Sequence, residues 1–395
     1  MANKKYNKYM LKGSLRKNGF DRWRLVTNGI NSITGEERTF FIEFYIVNPA
    51  LNTDEYTLGY KSTLKTSEED LQYALAGTLS ANSAAEEIIK QPSFVMVKAG
   101  CLGTNGKHIN TYFPSSKFEV GHKEFIIRAV TDRLAAGGGE GACVLSDRST
   151  RGKVQVSYAD LNIQPELLCN HGKMEWDLQY RISESYDDCF AGVNSNWTVP
   201  GAKVQFSGTI ILDGEEYNVY PKNSFGYIDK EWGKEFNEPF FHLSTSNMTS
   251  SITGKPLEDS FFIVHGESNG ALSVIARIEG QDHVFLAENK KKFEQSFNFT
   301  QCPKDDDGEK VHWSVSVSNK KYVIDLEIFC NTNSMFVRDY ECPSGNRKLM
   351  KILGGGTGIG TIKLFQRIKK NLVQLEEATV NNTLCEYGQS EYWNH

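Results

Sequence analysis

The chain has 395 residues, of which 39% are hydrophobic and 12% aromatic, and its formal net charge is −5. A single hydrophobic core rarely grows beyond about 250–300 residues, so two domains are expected. The weak negative charge does not call for a nucleic acid or an anionic membrane as partner. Because no apolar run approaches the ~18 residues that a membrane helix needs, no integral membrane segment is predicted.

The cysteines, the histidines and the first residues of the chain bear on metal binding and compartment. The eight cysteines include no Cys-x-x-Cys pair, and the eight histidines include no His-x-His or His-x-x-x-His pair. Zinc ribbons and dithiol redox motifs are therefore not expected, and no metal site is predicted. Residues 1–6 precede no apolar stretch typical of a secretory signal, so we expect a cytoplasmic protein with reduced thiols.

Strand patterns begin near the N-terminus and recur along the chain. Residues 39–47 form an apolar run that ends at Asn48-Pro49, and residues 173–182 alternate between apolar and polar side chains. Residues 204–212 end at Asp213-Gly214, a strong hairpin signal. Further strands are predicted over residues 261–265, 272–278, 312–317, 322–329 and 360–365. Short strands joined by Gly, Asn and Asp turns predict an all-β fold of two tandem antiparallel barrels or sandwiches.

Helix is predicted to be minor. The best candidate covers residues 67–89, where Ser67 followed by Asp70 resembles a capping box. Gly77 and Asn82 interrupt it, so two short helices or a structured loop are equally compatible. A domain boundary is predicted near residues 185–200, where the alternating strand gives way to a polar stretch. The expected domains are residues 1–190 and residues 191–395, each of a size suited to one barrel.

Two glycine clusters, at residues 137–141 and 354–360, lie between strand-like segments. Neither matches the dinucleotide-binding fingerprint, and the second lacks the lysine that a P-loop has before Thr361. Bulges, or close approach of the backbone at a barrel rim, explain the glycines better than phosphate binding does.

Residues 224–233 form the most unusual segment of the chain. They bring Tyr227, Asp229, Glu231 and Trp232 together between glycines, and a strand over residues 240–247 follows. On that strand two alternating sets project to opposite sides: Phe240, His242, Ser244 and Ser246 on one, and Phe241, Leu243, Thr245 and Asn247 on the other. Polar side chains on both faces indicate a cavity rather than a packed core. A charged loop followed by an edge strand is the alternative interpretation.

A further carboxylate lies within the apolar strand over residues 39–47. Glu43 shares a face with Phe41, Tyr45 and Val47. If that face looks inward, burial would favour the protonated acid and make Glu43 a usable proton donor. The alternative is that Glu43 lies at a solvated edge or pairs with an arginine.

Residues 226–233, Gly-Tyr-Ile-Asp-Lys-Glu-Trp-Gly, resemble the Tyr-x-Asp/Glu-x-Asn-Trp-Gly segment of a known superfamily. It comprises the tocopherol cyclases, the carotenoid hydratases (hydroxyneurosporene synthases) and related lipocalin-like proteins. Residues 19–24 look like the N-terminal Trp-Tyr signature of that superfamily, although Arg24 replaces the usual aromatic residue. The strand over residues 240–247 and the glycine-rich strand near the C-terminus also fit. Glu231 stands where the family usually has Asn, so it provides an acid at that position or marks a change of chemistry.

The resemblance implies two lipocalin-like β domains with a lipophilic ligand in a pocket in or between them. Members include enzymes that protonate an alkene and then cyclise or hydrate the cation, with no redox cofactor for that step. The expected partner is therefore a hydrophobic small molecule, and no cofactor is expected. An assembly of identical subunits is also compatible with the resemblance.

Two functional hypotheses lead, ahead of a third in which the protein is a purely structural interaction module. The first is a cyclase, hydratase or isomerase of a hydrophobic, unsaturated isoprenoid-, lipid- or polyketide-like molecule, which needs an acid held neutral in a dry pocket and aromatic faces for the cation. The candidate catalytic residues are Asp229, Glu231 and Glu43 as acids and His242 as the proton acceptor. The candidate ligand-binding residues are Trp23, Tyr45, Tyr227, Trp232, Phe241 and Asn247. The second hypothesis is a non-catalytic lipid or isoprenoid carrier, which has the same fold but no use for an acid against apolar walls.

Overall fold

The structure is a computed structural model, which describes residues 6–59, 62–65, 86–121, 124–130, 142–164, 167–267, 271–303 and 308–392. Strands dominate, and the one α-helix among the described residues is α1 (Tyr158–Ile163), which Ser157 caps. Short 3-10 segments are found at Gly13–Arg16, Ser115–Lys117, Ala287–Lys292 and Thr332–Ser334. The predicted all-β class with minor helix is confirmed. No helix in the described ranges is long and apolar enough to cross a membrane.

Twelve strands of the described residues form a first antiparallel sheet. They are β1 (Phe20–Asn31), β2 (Glu37–Val47), β5 (Phe94–Leu102), β6 (Lys107–Phe113), β7 (Phe118–Val120), β8 (Ile126–Val130), β9 (Ala142–Ser146), β10 (Ser149–Val156), β11 (Gly172–Ala191), β12 (Ser195–Leu212), β13 (Glu215–Val219) and β14 (Gly226–Gly233). A separate hairpin pairs β3 (Ser62–Lys65) with β4 (Glu86–Ile89). The sheet curls, since β6 near one edge contacts β10 and β11.

Eleven further strands of the described residues form a second antiparallel sheet. They are β15 (Phe240–Thr245), β16 (Asn247–Ser250), β17 (Phe261–Glu267), β18 (Ala271–Ile278), β19 (Gln281–Phe285), β20 (Glu294–Gln301), β21 (Lys310–Ser318), β22 (Tyr322–Asn331), β23 (Phe336–Glu341), β24 (Lys348–Ile368) and β25 (Asn371–Tyr392). The predicted strands fall within these elements, except that the one over residues 240–247 is interrupted at Ser246, between β15 and β16. Of the helix predicted over residues 67–89, residues 67–85 lie outside the described residues, and Glu86–Ile89 is a strand. The glycine cluster at residues 137–141 also lies outside them.

Burial patterns show how the two sheets are stacked. Strand β21 alternates between buried and half-buried side chains, as a strand with one core face should. In contrast, β1, β2, β5 and β14 are buried on both faces. One face of these strands lines the inside of the first sheet, and the other packs on the second sheet. One apolar cluster joins Phe41 and Trp197 of the first sheet to Ile263 and Leu384 of the second.

The change from one sheet to the other occurs between Gly233 and Phe240. Residues 185–200, where the domain boundary is predicted, lie in the hairpin of β11 and β12, inside the first sheet. The division into residues 1–190 and 191–395 remains a prediction about independently folding units.

The glycines of residues 354–360 lie in β24, in the middle of the second sheet. The pairing of β24 with β25 changes register between Gly355 and Gly358 and again before Gly360. A Cβ at Gly360 would lie 1.9 Å from the carbonyl oxygen of Glu327. Bulges and close backbone approach, as predicted, therefore account for this cluster.

Candidate active site

The segment that stood out in the sequence forms β14, whose alternation places Tyr227, Asp229 and Glu231 towards the second sheet. Strand β1 pairs with it so that Arg24 lies opposite Asp229 and Arg22 opposite Glu231. The Arg24 Nε donates to Asp229 Oδ1 at 3.1 Å, and Arg22 Nη2 donates to Glu231 Oε2 at 2.7 Å. All four charged side chains are buried. The carboxylates thus face arginines rather than the apolar walls expected from the sequence.

The second sheet adds further charges to this buried space. Glu386 on β25 accepts hydrogen bonds from both Arg24 and Arg338, and Arg338 on β23 also donates to Glu43 Oε1 at 3.0 Å. A continuous chain of ion pairs therefore runs from Glu43 through Arg338, Glu386 and Arg24 to Asp229. We call this chain, together with the Arg22–Glu231 pair, the ionic layer. It crosses the contact between the sheets twice.

Burial and neighbouring charges act differently on the acids of the ionic layer. Burial would raise the pKa of Glu386, but the guanidinium groups of Arg24 and Arg338 outweigh it and hold that pKa below its ordinary value. At Glu231, burial is the stronger effect and raises the pKa despite the nearby Arg22. The protonated form of Glu231 is therefore more favoured in the structure than it is in water.

Glu43 is held by two partners from one strand. In addition to Arg338, the Tyr340 hydroxyl donates to Glu43 Oε2 at 2.8 Å. The alternative interpretation from the sequence, pairing with an arginine, is the arrangement that the structure shows. Glu43 faces inward, as the apolar strand suggested, but with its charge compensated.

Two histidines from adjacent strands lie next to the ionic layer. His242 on β15 and His265 on β17 are opposite each other, with their Nδ1 atoms 3.2 Å apart. His242 Nε2 lies 3.0 Å from the Ser244 hydroxyl. Burial is the main cause that holds the pKa of both imidazoles well below 6.5, followed by Arg24 for His242 and by the neighbouring His242 for His265. Both rings are therefore neutral at pH 7 and can exchange a proton through alternative tautomers.

A cavity of about 210 Å³ opens beside these histidines, between the two sheets. Its aromatic wall consists of Phe190 and Trp197, and the Trp197 ring stacks on His265 with centroids 4.0 Å apart. Asn237 and the hairpin residues Gly192 and Val193 complete much of the wall. The cavity therefore combines aromatic faces and one neutral imidazole with two acidic residues of its wall, Glu267 and Glu288.

Hydrogen bonds connect the wall of this inter-sheet cavity to the ionic layer. Trp197 Nε1 donates to Asp229 Oδ2 at 3.2 Å. Asn237 Nδ2 donates to the Ser195 hydroxyl at 2.7 Å, and that hydroxyl donates to Glu231 Oε1 at 2.6 Å. Both acids that the sequence singled out on β14 are thus within one or two hydrogen bonds of the cavity wall.

The structure brings together six of the predicted site residues and separates four. Those between the sheets are Asp229, Glu231, Glu43, His242, Tyr45 and Tyr227. Phe241 points the other way on β15, into the core of the second sheet, where its ring meets Phe297. Asn247 lies on β16 and donates to Asn382 Oδ1 at 2.6 Å, away from the ionic layer.

Trp23 and Trp232 are separated from the acids because they occupy the other face of β1 and β14. There the Lys230 ammonium lies 4.0 Å from the Trp23 ring centroid and 4.9 Å from that of Trp232, and pairs with Asp21. Burial lowers the pKa of Lys230 to about 8 and raises that of Asp21 to about 6. This face lines the inside of the first sheet, which has its own cavity of about 520 Å³ against Trp23.

Several residues of the site were missed from the sequence. They are Arg22, Arg24, Arg338, Glu386, Ser195, Trp197, Asn237 and His265. The available signal was a polar or charged side chain at a strand position where the pattern calls for an apolar one. His265, which ends the apolar run over residues 261–264, is an example. That signal identifies an inward-facing polar group but not its partners. No group of three or more potential ligands that could hold a metal ion is found in the described ranges.

The sequence matches no family model and no curated protein at a significant level. Among solved structures, the chain is similar to a protein described as AttH from Nitrosomonas europaea, at 10% identity and a TM-score of 0.42, with 92% of each chain covered. It is also similar to CghA with Sch210972, at 9% identity and a TM-score of 0.42, over 95% of this chain and 89% of that one. Kievitone hydratase from Nectria haematococca gives 8% identity and a TM-score of 0.39, over 97% of this chain and 92% of that one.

Proposed function

We propose that the protein is a cofactor-independent cyclase, hydratase or isomerase that acts by proton transfer on a hydrophobic, unsaturated isoprenoid-, lipid- or polyketide-like molecule. The observation that supports this is the inter-sheet cavity, whose wall joins the aromatic faces of Phe190 and Trp197 to the neutral imidazole of His265. Aromatic faces stabilise a developing cation, and an imidazole kept neutral by burial is able to accept a proton from it.

The acid in this proposal is Glu231. Its raised pKa makes the protonated form more accessible, and the Ser195 hydroxyl lies between its carboxyl group and Asn237 at the cavity wall. When Glu231 is protonated, the Ser195 hydroxyl accepts its proton and releases its own towards the unsaturated carbon on the Asn237 side of the cavity, and Arg22 then stabilises the carboxylate that remains. His265 takes a proton from the cation or from an attacking water, and His242 shares that proton through the paired Nδ1 atoms.

The cavity accommodates a small ligand or the reacting part of a larger one. Pockets for drug-sized ligands usually measure about 300–1,000 Å³, compared with about 210 Å³ here. Val193 lies at the cavity wall in the β11–β12 hairpin and is 83% exposed, so a longer ligand extends into solvent past this hairpin.

The test begins with the lipids that co-purify with the protein, identified by mass spectrometry and offered back as substrates. His265→Gln should lower turnover by ~10²–10⁴-fold, the usual scale for loss of general acid–base catalysis, while the ligand still binds. His283→Gln is the matched control, because His283 is also buried but lies on β19, outside the inter-sheet cavity. Glu231→Gln should lower turnover on the same scale. Full activity of both variants would contradict the proposed roles.

A non-catalytic lipid carrier is the second candidate, and the cavity inside the first sheet is the observation that favours it. That cavity has a volume of about 520 Å³, within the usual range for ligand pockets, and the ionic layer does not line it. Its apolar wall includes Trp23, Phe125, Ile182 and Ile228. If Ile228→Trp abolishes ligand retention while no compound is converted by the unmodified protein, the carrier function is the correct one.

A further inference from the structure

The hairpin that joins β24 to β25 protrudes beyond the second sheet. Every residue from 367 to 375 is exposed, although neighbouring strand residues normally alternate between a buried and a solvated face. Four large apolar side chains are among them: Ile368 at 49% exposure, Leu372 at 52%, Val373 at 43% and Leu375 at 40%. Both faces of this hairpin tip thus carry apolar side chains into solvent.

The hairpin tip is also positively charged. Arg367, Lys369 and Lys370 lie within residues 367–375, which contain no acidic residue. The adjacent turn between β21 and β22 adds the exposed Lys320 and Lys321, and it is bound to the tip because Arg367 N donates to the Lys321 carbonyl at 2.8 Å. Five cations therefore surround the exposed apolar side chains, in a chain whose net charge is −5.

The first acids beyond the tip on β25 have partners of their own. Glu376 accepts a hydrogen bond from the Ser250 hydroxyl at 2.7 Å, and Glu377 pairs with Lys363 at 3.5 Å. These contacts hold both carboxylates on the body of the sheet. The cations of the tip are therefore not neutralised by the strand that follows.

We propose that residues 367–375 dock this protein onto the surface of a bilayer that contains anionic lipids. Apolar side chains that enter the headgroup region are removed from water, while lysine and arginine side chains remain at the level of the phosphates and each contribute attraction. A second copy of this chain is a poorer occupant, because a twofold contact through the tip would bring the same cations face to face. Docking does not depend on whether the inter-sheet cavity is catalytic.

The experiment is co-sedimentation with phosphatidylcholine vesicles, compared with vesicles that also contain phosphatidylserine. The protein should bind the anionic vesicles and much less the neutral ones, and ~1 M salt should weaken the binding since it shortens the screening length to ~3 Å. Lys369→Ala/Lys370→Ala should reduce the partition coefficient roughly 25-fold, from ~1 kcal/mol per lysine near the surface. Lys12→Ala/Lys222→Ala is the charge control, since both lysines are exposed elsewhere.

A second pair of variants separates the apolar contribution. Leu372→Ser/Val373→Ser should lower binding to anionic vesicles, whereas Ile33→Ser, at a 92% exposed apolar residue on another hairpin, should not. Equal binding to neutral and anionic vesicles, or no loss in the tip variants, would overturn the proposal. A dimer that Leu372→Ser/Val373→Ser converts to monomer would also overturn it, because the tip would then be an interface between copies of the chain.

Discussion

Replacing Glu386 by glutamine tests whether the ionic layer holds the two sheets together. Glu386 is completely buried and is the only carboxylate among the described residues that pairs with both Arg24 and Arg338. Glutamine keeps the shape but removes the charge, so two buried guanidinium groups each lose one ionic partner. Breaking a buried ion pair in this way costs about 3–5 kcal/mol, because a charge is left without compensation.

The measurement is the midpoint of thermal unfolding. With an unfolding entropy near 2.1 cal/mol/K per residue, a loss of about 4 kcal/mol lowers the midpoint of a chain of this length by about 5 °C. Glu175→Gln is the matched control, since Glu175 pairs with Lys173 at 2.8 Å on the surface, where an ion pair contributes only about 0–1 kcal/mol. A midpoint shift in Glu386→Gln no larger than that of the control would refute the structural role assigned to the layer.

The stabilisation that Glu386 provides should depend on pH in one direction only. The folded-state pKa of Glu386 lies below its ordinary value of about 4.3, so its ionised form stabilises the fold above that pH. The contribution disappears as the pH falls towards the folded-state pKa. The difference in the free energy of unfolding between the unmodified protein and Glu386→Gln should therefore be constant from about pH 7 to pH 5. It should shrink below about pH 4.

Three further predictions concern other parts of the molecule. Trp232→Ala should cost about 3–5 kcal/mol in the free energy of unfolding, measured with urea, but should spare turnover of bound ligand because Trp232 faces away from the acids. Because burial holds the pKa of His265 well below 6.5, the unfolded chain binds the extra proton, and the protein should lose about 1.4 kcal/mol per pH unit from this residue as the pH falls below about 6.5. In His265→Gln the free energy of unfolding, from urea titrations, should fall less steeply with pH by that amount, while the contribution of His242 remains. All eight cysteines are free. A thiol reagent should therefore titrate eight thiols in the denatured protein without added reductant, and fewer in the folded protein.

Much of the fold follows from local pattern. The alternation over residues 173–182 predicts which side chains of β11 are buried, and Met174, Trp176 and Leu178 are. Apolar runs such as residues 39–47 predict strands, and the structure shows that β2 is buried on both faces. These features depend on neighbours within a few residues, which is why sequence periodicity reports them.

The site depends instead on contacts between distant parts of the chain. Arg338 is 295 positions from Glu43, and Glu386 is 362 positions from Arg24. Only the stacking of the two sheets brings these charges together, so the sequence could identify Glu43 as an inward carboxylate without supplying its partner. Alternation alone could have separated Trp232 from Asp229 and Glu231, since they differ by odd and even positions on one strand.

Deuterium incorporation into the product shows whether the inter-sheet cavity transfers a proton to carbon, as we propose. The ligand identified from the purified protein is converted in D₂O. The product is then equilibrated with H₂O, so that deuterium bound to oxygen or nitrogen is exchanged for hydrogen, and analysed by mass spectrometry. We predict one carbon-bound deuterium per product, formed at a rate that falls in both Glu231→Gln and His265→Gln. A product without carbon-bound deuterium, formed equally fast by both variants, would contradict the proposed proton transfer.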